Sequence, residues 1–192
     1  MLEDVALEDF LLDMIHAPCI ENVKESTNTK AFKIDDADGL ACYLGFHSAM
    51  ISKVDYFRMK GDKVQLIELS DMQDSAMQCL HDKQNAIARE VISSGLQDES
   101  ELPARVRKKI RKAAWSNVVN EFNRKWGGSI AVIERLYRKN GVTVDNPEYK
   151  MLIVCKDSTD ARILDDLLSQ LSGMMGVVNV CNSQKTNEFV LK

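Results

Sequence analysis

Long apolar runs, paired cysteines and glycine-rich loops are all missing from this sequence, and each absence narrows what the chain can be. No stretch approaches the ~18 apolar residues that a membrane-spanning helix requires. The N-terminal segment MLEDVALEDFLLDMIHAP is acidic and amphipathic. It lacks the basic start and unbroken apolar core of a secretory signal, so a soluble cytoplasmic protein with no membrane partner is expected. The five cysteines (Cys19, Cys42, Cys79, Cys155, Cys181) form no CxxC pair, and His16, His47 and His81 are isolated from one another. That scatter argues against a zinc site or a disulfide framework and for buried free thiols in a reducing compartment. With only three prolines, no low-complexity linker and no repeat, residues 1–192 are expected to form a single α/β domain. No Ser-His-Asp or Cys-His constellation is visible. The loop from Lys156 to Asp160 opens a helix, but it has no glycine-rich phosphate fingerprint, and two aspartates there would repel a phosphate.

What is present is a marked charge asymmetry. Residues 1–100 carry 9 Lys/Arg against 19 Asp/Glu, residues 101–140 carry 11 against 3, and the remainder 5 against 7. Segregation of this kind hints at contact with nucleic acid or an acidic partner. A solvated helical face is the alternative.

Apolar spacing over residues 2–16 predicts an amphipathic helix ended by Pro18. Asn22 to Lys30 reads as a polar loop, Thr29 to Ile34 as a possible strand. Residues 51–60 and 63–70 are strand-like and flank Gly61-Asp62, a two-residue hairpin signal of type II′. Residues 74–94 predict a helix. Pro103 opens a long helix running to about Lys125, which Gly127-Gly128 interrupts, with Ser129 capping a further helix to Lys139. This helical, basic segment at about 101–140 is inserted before the last strands. Trp115 is assigned to the core and Trp126 to the surface. The run KMLIVCK (150–156) suits a strand buried on both faces. A helix over 158–172 and short strands at 177–182 and 188–191 complete a mixed central sheet with a β-hairpin core, flanked by helices.

A two-residue turn fixes the hairpin register, with Lys60 opposite Lys63, Asp55 opposite Glu68 and Lys53 opposite Ser70. One face then carries Phe57, Met59, Val64 and Leu66 near the turn and ends in a carboxylate pair beside an ammonium. Opposed carboxylates are costly unless a metal, a proton or a cationic side chain neutralises one of them.

A strand bearing Asp, a short turn and an apolar strand bearing Glu resembles the core of the PD-(D/E)XK nuclease superfamily, here as Val54-Asp55 and Gln65-Leu66-Ile67-Glu68-Leu69-Ser70. The resemblance implies a helix, a three-strand meander, a helix and a fourth strand, with residues 2–16, 51–70, 74–94 and 150–156 supplying them. It implies Asp55 and Glu68 as ligands of Mg²⁺ or Mn²⁺, helped by the Leu69 carbonyl. Two departures stand out: Ser70 occupies the place of the family's lysine, and Val54 rather than Pro precedes Asp55. Lys53 is the stand-in that the pairing arithmetic offers, giving a catalytic set of Asp55, Glu68 and Lys53.

The stretch RVRKKIRK (105–112) aligns Arg105, Lys108, Lys109 and Lys112 on one helical face, and Arg124 and Lys125 follow. Such a stripe suits a nucleic acid backbone. The expected function is therefore a nucleic-acid-associated protein of restriction-endonuclease-like fold, cleaving phosphodiesters with a divalent metal. The alternative is a non-catalytic adaptor or inhibitor that binds DNA, RNA or a protein partner.

Overall fold

The computed structural model describes residues 6–16, 25–47, 50–172 and 175–191. In chain order these residues form β1 (Leu11–Ile15), β2 (Ser26–Lys33), α1 (Leu40–Tyr43), β3 (Tyr56–Lys60), β4 (Lys63–Ser70) and α2 (Gln73–Ser93). Then come α3 (Ala104–Ala114), α4 (Ser116–Lys139), β5 (Glu148–Cys155), α5 (Ala161–Leu171), β6 (Val177–Asn182) and α6 (Thr186–Phe189). The architecture is α+β: a six-stranded mixed sheet, in sequence order β1 to β6, flanked by helices. Strands β1 to β4 are antiparallel neighbours, and β4–β5 and β5–β6 are parallel. A parallel pair needs a crossover, and α2–α3–α4 and α5 provide the two.

The hairpin follows its local code. Lys60 pairs with Lys63, and Tyr56 with Ile67. Gly61 has φ of 62°, the left-handed geometry that glycine adopts without a Cβ penalty. Side chains alternate between two cores. Phe57, Val64 and Leu66 join the larger one, with Met151 and Ile153 of β5 and the helices α2, α4 and α5. Tyr56 and Ile67 point to a smaller cluster with Met14, Leu152, Val154 and Val190. Strand β5 contributes to both, as expected of a strand covered on two faces.

Four expectations are corrected. Residues 7–15 form no α-helix: a short 3₁₀ helix (Leu7–Phe10) leads into β1, whose Met14 is buried while Leu12 and Ile15 remain partly exposed. Pairing with β2 satisfies this backbone, and a few apolar residues at short spacing fit a strand as well as a helix. Residues 2–5 of that expected helix lie outside the described residues, as do Asn22 to Lys24 of the expected loop. Strand β2 begins at Ser26, inside that loop. The break in the long helix falls at Trp115, not at Gly127-Gly128, through which α4 runs unbroken. Finally, 188–191 add no strand, because the chain turns under the sheet as α6. There the side chain of Gln65 donates to the Phe189 carbonyl (2.9 Å) and accepts from the Leu191 amide (2.8 Å).

Trp115 is buried as assigned, but Trp126 is half-buried, edge-on to Tyr149 with ring centres 6.3 Å apart. Cys79, Cys155 and Cys181 are free and buried, and burial pushes the Cys155 and Cys181 thiols up to about 12 and about 11. Cys19 lies outside the described residues. Among the described residues no helix is long and apolar enough to cross a membrane.

Candidate functional site

Asp55 immediately precedes β3, and several elements fix it. Its carbonyl accepts from the Ile34 amide (2.8 Å) and the Asp35 amide (3.3 Å). Its carboxylate Oδ2 accepts from the Leu69 amide at 2.7 Å. The preceding amide, Val54 N–H, donates to Ser129 Oγ (2.9 Å), and that hydroxyl donates to the Lys125 carbonyl (2.7 Å). Ser129 is thus a mid-helix strut, not the cap of a new helix. The glycine before it explains why the helix comes so close. A Cβ on Gly128 would lie 1.9 Å from the Ser52 carbonyl oxygen. Glycine disfavours a helix by about 1 kcal/mol relative to Ala, and here it permits backbone contact beside Asp55.

Glu68 sits in β4, aligned with Ile153 of β5, and is 3% exposed. The Lys125 ammonium, from the first half of α4, donates to Glu68 Oε1 and also pairs with Glu121 one turn earlier (3.2 Å). Glu68 Oε2 is buried without a hydrogen-bond partner. An unpaired buried carboxylate oxygen carries its full desolvation cost.

Both carboxyls resist ionisation. Burial raises Asp55 to about 6, against the opposing Leu69 amide and Lys125 charge. Burial first, then the Asp55 charge, raises Glu68 to about 8, although Lys125 pulls the other way. Burial works against the Lys125 ammonium, yet the Glu68 charge and hydrogen bond outweigh it and hold its pKa above the ordinary value. The two carboxyls therefore titrate as a coupled pair that one ammonium only partly compensates.

The other sequence-nominated residues separate into two groups. Lys53 is buried, precedes β3 and pairs with Asp35 at 2.8 Å. It braces the Asp35 loop instead of lying in a strand opposite Ser70. Asp71 beyond Ser70 pairs with Lys156 at the end of β5 (2.7 Å). Arg105, Lys108, Lys109 and Lys112 are exposed on α3, and Arg124 is exposed on α4. Lys125, assigned from sequence to the basic stripe, instead belongs to the carboxylate pair. That contact spans 57 positions, so no local spacing rule pairs the two residues. The helical Gly127-Gly128 was the available hint of a close approach.

A cleft of about 570 Å³ opens beside Asp55, lined by Asp13, His16, Lys33, Asp35 and Asp36 among others. His16 is buried, its Nε2 has no hydrogen-bond partner, and burial lowers its pKa, so the imidazole is neutral near pH 7. As an isolated histidine it gave no sequence signal. No group of three or more His, Cys, Asp or Glu side chains placed to hold a metal ion occurs among the described residues. The donors at hand are the two carboxylates. Hard divalent cations accept such a set, because Mg²⁺ keeps several waters and takes only one or two carboxylates. The partnerless Glu68 Oε2 is consistent with that need.

Neither a family model, nor a curated protein, nor a solved structure matches the chain.

Proposed function

We propose that this chain is a nucleic-acid-associated protein of restriction-endonuclease-like fold that hydrolyses phosphodiesters with Mg²⁺ or Mn²⁺ held at Asp55 and Glu68. The observation that carries the reading is the buried carboxylate pair in which Glu68 keeps one oxygen without a partner. A cation there would supply the missing partner and the missing positive charge together. The order of elements agrees with the PD-(D/E)XK scheme from β2 onward: an antiparallel meander β2–β3–β4, helices, then β5 parallel to β4. The leading helix of that scheme has no counterpart among residues 6–16.

When bound, the metal supplies an acidified water and neutralises charge on the phosphodiester. The chain's own residues do the rest. The Leu69 amide orients Asp55, and the contact of Val54 with Ser129 ties that carboxylate to α4. Lys125, hydrogen-bonded to Glu68, takes the role of the family's lysine from a helix, in place of Ser70. Its ammonium stabilises developing oxyanion charge. Arg124 beside it and the exposed cations of α3 supply backbone attraction for DNA or RNA.

The test titrates wild type and Asp55→Ala/Glu68→Ala with Mn²⁺, following the thermal midpoint and cleavage of labelled DNA and RNA. Wild type should be stabilised and should cut, because a ligand bound only by the folded state raises the midpoint. The double variant should do neither. A wild type that ignores Mn²⁺ makes Lys125–Glu68 a structural ion pair and favours the non-catalytic adaptor or inhibitor.

A further inference from the structure

On α4, Arg138 and Lys139 stand three and four residues after Arg135, both neighbours of it on the next turn. Like charges so spaced disfavour a helix. None of the three enters an ion pair among the described residues. They line a cleft of about 640 Å³ with Tyr43, Leu44 and Phe46, and no acidic side chain is among its described lining residues. The Arg135 guanidinium lies 4.8 Å over the centre of the Phe46 ring, and the Lys139 ammonium 4.3 Å over that of Tyr43. Tyr43 is nevertheless 52% exposed.

A structural role accounts for part of this. Arg138 and Lys139 occupy the last turn of α4, where the helix dipole favours cations. Arg135 lies a turn earlier, and the dipole explains neither its charge nor the missing counter-charge. Three cations that form no ion pair among the described residues lie beside a tyrosine that also packs against Phe10 (ring centres 5.8 Å apart) and keeps half its surface exposed; together they are complementary to a phosphate with a base against the open part of the ring. The guanidinium fork matches phosphate oxygens, and a tyrosine ring accepts any base face.

We propose that this cleft is a remote phosphate anchor for a nucleic acid strand that runs along α4 to the Asp55–Glu68 pair. The strand's destination rests on the nuclease reading, and the anchor itself does not. Arg124, Gly127, Ala131, Arg135 and Arg138 follow one another at helical spacing and are all exposed, so one open side of α4 runs from the residue beside Lys125 to the cleft. At a rise of about 1.5 Å per residue, Arg135 and Lys139 stand roughly 15 to 21 Å along the axis from Lys125. That is about four to six phosphate steps of a duplex strand, at about 3.4 Å each. The basic patch and the exposed ring together favour nucleic acid over an acidic polypeptide, which offers carboxylates but no bases.

The experiment measures fluorescence anisotropy of a labelled oligonucleotide, single- and double-stranded, in EDTA over a salt series. It compares wild type with Arg135→Gln/Arg138→Gln/Lys139→Gln. Affinity should fall about tenfold or more at low salt, and the log–log salt slope should become shallower by about 2 for a single strand and about 3 for a duplex, the values for three lost phosphate contacts. Arg138 stacks on no ring in the cleft, so Arg138→Gln alone tests the anchor without disturbing the packing. Its slope should change by just under about 1. Unchanged affinity and slope in both variants overturn the anchor, as does a wild type that binds no oligonucleotide. Displacement of the oligonucleotide by polyglutamate at equal charge concentration also overturns it and points to a protein partner. Because binding is read in EDTA, it does not depend on the carboxylates. Cleft-dependent binding with no Mn²⁺ response retains the anchor and removes the nuclease reading, and Mn²⁺-dependent cleavage with an inert cleft does the reverse.

Discussion

Gln65 and Glu68 lie three residues apart on the same strand, each 3% exposed, on opposite faces of the sheet. Their polar atoms meet different fates. The Gln65 amide is used at both ends: it donates to Phe189 and accepts from Leu191, pinning the C-terminal segment under the sheet. Glu68 uses one oxygen for Lys125 and leaves the other with no partner, beside a second buried carboxyl. Equal burial therefore marks two different things. A buried polar group that is fully satisfied holds a fold together, whereas one left short is a strain that a ligand can relieve.

Three substitutions would break or sharpen that contrast. The largest effect belongs to Glu68→Gln. Because Glu68 is raised to about 8 and Asp55 to about 6, their protonated forms favour the folded state. Their contribution is fully present below about pH 4 and is lost as pH rises through those values. Glu68→Gln removes the larger part of this dependence and keeps an acceptor for Lys125. Its stability relative to wild type should climb by on the order of 4 kcal/mol between pH 5 and pH 9, at about 1.4 kcal/mol per pKa unit. Urea denaturation across that range checks it, and parallel curves for the two proteins would sink the contrast. Gln65→Leu comes next. It strands the Phe189 carbonyl and the Leu191 amide, so a loss of about 1–3 kcal/mol is expected, the same at every pH and with or without Mn²⁺. A pH-dependent loss would show that Gln65 is no simple staple. Smallest is Ser129→Ala, which leaves the Val54 amide without its acceptor, for about 1 kcal/mol. Its informative readout is cleavage rate, which should fall more than stability does, because Val54 positions Asp55. Equal stability with full cleavage would separate the strut from the site.

The carboxylate site was half legible in advance. Asp55 and Glu68 could be named together because a two-residue turn and a period of two propagate register without help from the rest of the chain. The same arithmetic misplaced Lys53. Strand β3 starts only at Tyr56, and ahead of it the backbone is held by Ser129 and Ile34 rather than by β4. Lys125 carried a visible charge with no visible destination, and His16 carried no signal at all.

By itself, then, the sequence determined the structures whose cause is local: the Gly61-Asp62 turn, the pairing of Lys60 with Lys63, the doubly buried strand β5 and the helices α2 and α5. Tertiary structure decided the rest. It drew residues 11–15 into an edge strand, because an open β2 edge can satisfy a backbone that a short amphipathic segment cannot hold as a helix. It carried α4 straight through two glycines and set Lys125 on Glu68, because Gly128 lets the helix reach the Ser52 backbone. Contacts between positions so far apart depend on which surfaces the folded chain must bury, and no spacing rule in the sequence encodes them.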